Sequence, residues 1–222
     1  MDIKVYLEGS FEENVMITDL NGQNFISLNQ PYNESPWFYH GTESVEAISN
    51  ANIVDWVLVE IRDAVSAVMA SHGNIVSRQA AFLLKDGSIV GLDGESKIEF
   101  YNSFTENLFI VICHRNHLTI MSSESFFVSV DTWEYDFTTS SDQVFGNSLG
   151  YKEIIGGVWA MVAGNGFHDN QINESDKIYI WNPEAGMKGY LMGDFNMDGF
   201  VDNNDKNDLL LFNSDKVSQV PQ

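Results

Sequence analysis

The sequence predicts a mainly β protein in two parts, a β-sandwich-like domain over residues 1–160 and a small α-helical module over residues 161–222. Short apolar segments alternate with turn residues from Ile3 to Phe137, which is typical of a β-rich domain. After Gly164 the chain becomes rich in Asn and Asp, and two similar segments begin 29 residues apart, at Asn165 and Asp194. This repeat sets the second part off from the first.

Several segments are rich enough in Val, Ile, Leu and Phe to be predicted as strands. Val54–Arg62 is apolar on both faces through its middle, which is expected of a covered central strand and favours two packed sheets. The Asp86-Gly87 pair supplies the positive-φ residues of a tight turn, so a hairpin is expected there. The predicted strands are Ile3–Leu7, Val54–Ile61, Ala80–Leu84, Ser88–Leu92, Leu108–Cys113, Leu118–Met121 and Phe126–Val130.

The chain of 222 residues carries 11 basic and 32 acidic side chains, a net charge of −21. Because this charge repels phosphate groups, we expect no binding to nucleic acid or to anionic membranes, and cations are the expected partners. No apolar stretch approaches the length of a membrane span. The start lacks a secretory signal, so we expect a mature segment or a piece of a longer protein. Cys113, the single cysteine, excludes an internal disulfide and is expected in a buried strand.

The segment from Asp194 to Asp205 matches the pattern D-x-N-x-D-G-x-V-x-x-x-D. Calcium takes about six to eight oxygen ligands, and oxygens at these offsets surround one centre. Gly199 would make the sharp turn, and Val201 is expected to pair with its counterpart in the other repeat. A merely solvated turn is the alternative, but five oxygen side chains at fixed offsets disfavour it. The predicted ligands are Asp194, Asn196, Asp198, the Phe200 carbonyl, Asp202 and Asp205.

The earlier copy, from Asn165 to Asp176, keeps the same frame but has fewer acidic ligands. Phe167 removes the oxygen ligand at the third position, and Asn170 stands where the other copy has glycine, since Asn tolerates the left-handed conformation. Calcium affinity should therefore be lower here, and an ion-free structural partner is the open alternative. The candidate ligands are Asn165, Asp169, Gln171, Asn173 and Asp176.

Both loops end in Asp-Lys and precede a short amphipathic segment, and the pair resembles dockerin-type calcium-binding repeats. Other segments are similar to the C-terminal region of secreted or surface proteins of Bacteroidota-type bacteria, described as haemagglutinin-like or dockerin-like. The resemblance implies an extracellular β-rich module fused to a dockerin-like calcium module, at the end of a longer adhesive or polysaccharide-active chain. It implies no catalytic activity, and Phe167 departs from the usual Asn. The similar segments include Lys4–Gly9, Gln30–Asn33, Gly41–Val45, Val54–Glu60, Arg78–Leu84 and His114–Leu118.

Two further polar groups carry weaker signals. His114 and His117 would point to opposite faces of an extended strand and could share an ion only across a tight turn, so a turn-stabilising or packing role is expected. Glu60 and Asp55 could form the carboxylate pair of a glycosidase, but no nucleophile or phosphate-binding motif accompanies them. The side chains expected in a partly buried charge network are Glu60, Arg62, Arg78 and Arg115.

An aromatic cluster surrounds Pro31 and Pro36, and its possible sugar-binding rings are Tyr32, Trp37 and Tyr39. The cluster also contains Phe38 and His40. Exposed rings would provide a platform on which a sugar stacks. The alternative, which we favour, is a loop that packs its rings against the β domain, because large rings are usually buried.

The sequence therefore predicts an extracellular or cell-surface module that is not an enzyme and that serves interaction or anchoring with structural calcium. One calcium site should be tight and the other weaker or empty. The partner would be a protein, in a cohesin-like complex or by intramolecular docking, or a glycan. A carbohydrate-binding module that uses the aromatic residues of loop 32–40 is the alternative function.

Overall fold

The computed structural model describes residues 1–101, 104–125 and 133–222, and the strand predicted over Phe126–Val130 lies outside these ranges. The described protein is mainly β, as the sequence predicted. Its strands are β1 (Asp2–Lys4), β2 (Phe11–Glu12), β3 (Val15–Met16), β4 (Ile53–Ala64), β5 (Ile75–Leu84), β6 (Ile89–Val90), β7 (Asn107–His114), β8 (His117–Met121), β9 (Glu134–Asp136), β10 (Tyr151–Ile155) and β11 (Val158–Met161).

One antiparallel sheet forms the framework, with its strands in the order β6-β5-β4-β7-β8. The central strand β4 is 12 residues long and is buried from Ile53 to Arg62, because apolar side chains cover both of its faces. The prediction of a central strand is therefore confirmed. Cys113 on β7 pairs with Leu58 of β4 and is buried with a free thiol, whose pKa is raised by burial.

The hairpin predicted at Asp86-Gly87 joins β5 to β6. Gly87 has a φ of 88°, which glycine adopts without strain. Its N–H donates to the carbonyl oxygen of Leu84 at 2.9 Å, and β5 and β6 pair through Leu83 and Ile89. This turn chemistry sets the register of the sheet edge.

The remaining strands form two-stranded pairs, β1 with β9, β2 with β3 and β10 with β11. Across the described ranges no second large sheet faces the five-stranded one, so short pairs and loops supply the covering layer. Tyr32 is one such loop residue, fully buried, with its hydroxyl donating to the carbonyl oxygen of Trp56 at 2.8 Å. In place of the two packed sheets that the sequence predicted, the described residues form one large sheet covered by short strand pairs and loops.

The helices are all short. No helix in the described part of the chain is long and apolar enough to cross a membrane. The first C-terminal helix is Asp176–Trp181 continued by Asn182–Glu184, and the second C-terminal helix is Asp205–Leu210. The other helical segments are Asp19–Gly22, Ala67–Met69, His72–Asn74, Phe137–Thr139, Ser141–Gln143 and Asn147–Leu149.

The C-terminal region packs directly on the β region. Trp181 and Leu210 of the two C-terminal helices share a hydrophobic cluster with Leu118 of β8 and with Val162. Val220 near the end of the chain belongs to the main core. The two parts that the sequence separates therefore have a common apolar interface.

Candidate functional site

The second loop (Asp194–Asp205) is closed around its last carboxylate. Asp205 Oδ1 accepts hydrogen bonds from the backbone N–H groups of Phe195 at 2.7 Å and Asn196 at 3.0 Å. Its Oδ2 accepts from the N–H of Asp202 at 2.8 Å. The backbone therefore already has the curled path that the calcium-loop pattern predicts.

Gly199 makes the sharp turn of this loop, as predicted. Its φ is 88°, and an added Cβ would lie 2.7 Å from Nε2 of Gln23. The Gly199 N–H donates to Asp194 Oδ2 at 3.0 Å, which joins the sixth residue of the loop to the first. The left-handed conformation favours glycine here, and an added Cβ would also have to displace the Gln23 side chain.

Asp194 carries a buried oxygen that the protein does not satisfy. The residue is fully buried, and its Oδ1 has no hydrogen-bond partner. Burial, opposed by Arg115 and assisted by Asp205, raises the pKa of Asp194 to about 7. Burial also raises the pKa of Asp205 to about 6. A buried carboxylate of this kind is unfavourable unless a proton or a cation satisfies it.

The first loop (Asn165–Asp176) repeats the same closure. Asp176 Oδ1 accepts from the N–H of Phe167 at 2.9 Å, and its Oδ2 accepts from the N–H of Asn173 at 2.8 Å. These bonds are equivalent to those of Asp205. The similarity seen in the sequence is therefore a similarity of backbone structure.

The first residue of this loop is equivalent to Asp194 in its surroundings as well. Asn165 is buried, and its Oδ1 has no hydrogen-bond partner. Asn170 has a φ of 66°, so the prediction that it takes the left-handed place of Gly199 is confirmed. Phe167, which replaces the ligand at the third position, is 44% exposed.

The expected pairing of Val201 with Ile172 is wrong. The Ile172 N–H donates to the carbonyl oxygen of Lys216 at 2.9 Å, and the Val201 N–H donates to that of Met187 at 3.0 Å. Each loop is therefore paired with the segment that follows the helix of the other loop, because both segments return across the module.

Both loops offer hard oxygen donors, which suit calcium. The Asp198 and Asp202 carboxylates accept from backbone N–H groups two residues further on, at 2.9 and 2.6 Å. In the described ranges, no three His, Cys, Asp or Glu side chains stand together so that they could hold a metal ion alone. Asn and backbone carbonyl oxygens would have to complete the coordination. The loops fit calcium by donor type and backbone path.

The β7–β8 turn (Arg115–Asn116) connects the sheet to the second loop. Asn116 Nδ2 donates to the carbonyl oxygen of Asp194 at 2.6 Å, and Arg115 Nη1 donates to that of Leu191. Both turn residues are fully buried. Sequence reasoning missed this contact, although a polar segment between two fully apolar strands was a signal of burial against another polar surface.

Asp55 of β4 holds the turn in place. Its Oδ2 accepts from Arg115 Nε at 2.8 Å and lies 3.1 Å from His114 Nε2, and its Oδ1 accepts from the Tyr190 hydroxyl. Burial would raise the pKa of Asp55, but Arg115 and His114 outweigh it and lower the pKa to about 2. We call Asp55, His114, Arg115 and Tyr190 the Asp55 cluster.

His114 and His117 meet across the turn, with their Nδ1 atoms 3.0 Å apart. The segment is therefore a tight turn, the alternative that the sequence left open, and not an extended strand. His117 Nδ1 lies 2.8 Å from Asn116 Oδ1 and must donate, since a carbonyl oxygen only accepts. Burial lowers the pKa of both imidazoles. Both imidazoles contact Asn116 and so stabilise the turn.

Glu60 lies on the opposite face of β4 from Asp55, because the two are five residues apart in an extended strand. Glu60 is 3.0 Å from Arg62 and 3.9 Å from Arg78, which confirms that part of the predicted charge network. Arg115 instead belongs to the Asp55 cluster. Carboxylates on opposite faces cannot flank one glycosidic bond.

Three rings of the aromatic cluster lie inside the protein, whereas Phe38 is 57% exposed. Tyr32 has no exposed surface, and Trp37 and Tyr39 are each 9% exposed. The Trp37 ring packs on His168 of the first loop at 4.4 Å. These contacts favour the packing interpretation, because a sugar cannot stack on a covered ring.

Comparison with models of protein families, with curated proteins and with solved structures finds no match for this chain. The dockerin-type resemblance therefore stays a prediction. Any functional assignment has to rest on the two loops and on what surrounds them.

Proposed function

We propose that this protein is a calcium-binding, dockerin-like module that acts outside the cell or at its surface, without catalysis, in interaction or anchoring. It would belong to a larger adhesive or polysaccharide-active secreted protein. One observation carries the calcium assignment. Among the described residues, four buried side-chain atoms lack a partner, and two of them are the equivalent oxygens of Asn165 and Asp194. A cation in each loop would satisfy both.

The charge of the two loops supports unequal sites. The second loop has four carboxylates, at Asp194, Asp198, Asp202 and Asp205. The first loop offers two at matching positions, Asp169 and Asp176. Calcium affinity rises with ligand charge, and extracellular modules work with dissociation constants as weak as about 10⁻⁴–10⁻³ M. A strong and a weak site are both compatible with calcium levels outside cells.

The exposed side of the C-terminal helices supports a protein partner. Tyr179 is 62% exposed, Ile178 is 45% exposed and Phe212 is 73% exposed. Trp181 and Leu210 of the same helices dock on the β region. Part of the apolar surface of this region is therefore used within the molecule, and the remaining exposed side chains are of the kind found at protein interfaces.

The calcium assignment is tested by calorimetric titration of the calcium-free chain with calcium. Asp198→Ala should remove the tighter site, whereas the matched Asp169→Ala should affect only the weaker one. If Asp198→Ala leaves the tighter site intact, the assignment to the second loop is wrong. If the native chain shows no heat of calcium binding, the proposed function fails.

The absence of catalysis is tested separately. Asp55, His114 and His117 are fully buried and lie in structural contacts, which supports a role in packing. We expect no turnover of glycan, ester or peptide substrates by the purified chain. Turnover that Glu60→Gln abolishes would contradict the non-enzymatic assignment.

A further inference from the structure

Asn116 contacts the first residue of both loops. Its backbone carbonyl oxygen accepts from the N–H of Asn165 at 3.1 Å, and its side-chain Nδ2 donates to the carbonyl oxygen of Asp194 at 2.6 Å. Asn165 and Asp194 occupy equivalent positions, and each has an unpartnered side-chain oxygen. A single residue of the sheet is therefore joined to the same point of both candidate sites.

Arg115 contacts the fourth residue of both loops. His168 Nε2 donates to the Arg115 carbonyl oxygen, and Arg115 Nη2 lies 3.8 Å from the sulfur of Met197. His168 and Met197 have similar left-handed conformations, with φ values of 61° and 67°. The β7–β8 turn thus lies between the loops and makes matching contacts with each.

The β7–β8 turn is anchored to the sheet. Both loops therefore contact one fixed element. Arg115 is fixed by the carboxylate of Asp55 at 2.8 Å and lies over the ring of Tyr190 at 4.4 Å. The eighth residues of the loops, Ile172 and Val201, belong to one hydrophobic cluster but are not joined by a backbone hydrogen bond, because their N–H groups donate to Lys216 and Met187.

We propose that the β7–β8 turn couples the two loops, so that calcium in the second loop raises the calcium affinity of the first. This inference rests on the proposed function. An ion in the second loop fixes Asp194 and the carbonyl oxygen that binds Asn116. Asn116 then holds the N–H of Asn165 in place, so the first loop loses less conformational freedom when its own ion binds. Coupling between sites is typically about 5-fold to 150-fold in affinity.

The test is a set of calcium titrations of the full chain. The calcium affinity of the first loop is measured under two conditions. In the native chain the second loop is filled, and in Asp198→Ala the second loop is disabled. We expect the first loop to bind calcium at least about fivefold more tightly in the native chain than in Asp198→Ala. In the Asn116→Ala background the ratio should fall close to one. Asn50→Ala, which also removes side-chain contacts of a turn asparagine, should keep the native ratio.

Hydrogen exchange gives a second readout that does not need the Asn116 variant. In Asp169→Ala, where only the second loop can fill, calcium should slow exchange of the Gly164 and Asn165 amides, which both donate to the Asn116 carbonyl oxygen. Three results would overturn the coupling. The affinity ratio could be one in the native chain, it could be undiminished in Asn116→Ala, or exchange at these amides could be unchanged by calcium. Binding at both loops without coupling would leave the proposed function standing, whereas no binding at all would remove both.

Discussion

At the scale of single residues, the molecule contains two kinds of buried carboxylate. Asp55 is paired with Arg115 and keeps a lowered pKa of about 2. Asp194 is only partly satisfied, and burial raises its pKa to about 7. The first carboxylate is held by the protein itself, and the second requires a proton or a cation to be stable in its surroundings.

Asp194→Asn should stabilise the calcium-free chain at high pH, and calcium should reduce this advantage. Because the folded pKa is raised above the unfolded value, this group contributes stability below the unfolded pKa near 4, and that contribution is lost as pH rises through about 7. Without metal, the variant should therefore melt above the native chain at pH 8 and close to it at pH 4.

With calcium at pH 8 the difference in melting temperature should narrow, because the native chain gains about 2.7 kcal/mol when calcium is a hundredfold above its dissociation constant and the variant gains less. Thermal melts with chelator and with calcium measure both effects. An unchanged gain from calcium in Asp194→Asn would argue against this residue as a ligand.

Asp55→Ala should destabilise the chain strongly. The change leaves the fully buried Arg115 without its carboxylate, and breaking a buried pair in this way costs about 3–5 kcal/mol. Denaturant unfolding measures the loss. The control is Asp2→Ala, which breaks an exposed pair with Lys97 and should cost less than about 1 kcal/mol. Equal losses in the two variants would show that the Asp55 cluster is not structurally important.

At the scale of elements, the strands and loops with strong local patterns are predictable from the sequence. The central strand β4, the Asp86-Gly87 hairpin and the two repeated loops all depend on residue type and spacing. The partner of Val201, the contact of Trp37 with His168 and the contact of Asn116 with Asp194 are not predictable in this way. Those features depend on which distant segments meet, and no local pattern encodes that choice.

Gly199→Ala should weaken the second loop. The left-handed conformation costs a non-glycine residue roughly 1–3 kcal/mol. The new Cβ would also press on Gln23 and Phe25. Gly156→Ala is a matched control, since its φ is 51° but no atom lies within 4 Å of the added Cβ. Chemical denaturation of both variants separates strain from crowding, and a loss no greater than that of Gly156→Ala would exclude crowding as a cause.

At the scale of the whole molecule, the two parts form a continuous structure. Lys152 Nζ donates to Asn213 Oδ1 at 2.9 Å, and Arg62 Nη1 donates to the carbonyl oxygen of Pro221 at 2.8 Å. Ser218 Oγ also donates to the carbonyl oxygen of Thr119 at 2.6 Å. The sequence indicates a boundary near Ala160 from a change of composition, but composition does not show that the last segment returns to the sheet.

A chain that ends at Ala160 should fail to fold. It would lack Tyr190 from the Asp55 cluster and would expose Leu118 of the second hydrophobic cluster. The loss of these buried contacts costs more than the free energy of unfolding of a domain of this size. Proton–nitrogen spectra of the shortened chain should show poor dispersion, whereas a well-dispersed spectrum would establish an independent β domain.

The buried thiol in the sheet can be used to measure how often the sheet opens. Cys113 is the single cysteine of the sequence, and it is covered on β7 beside the central strand. Thiol reagents attack the thiolate, so a buried thiol with a raised pKa reacts only after the sheet opens. The rate of alkylation, followed with and without calcium, would therefore report how far an ion bound at the loops slows the opening of a sheet strand it does not touch.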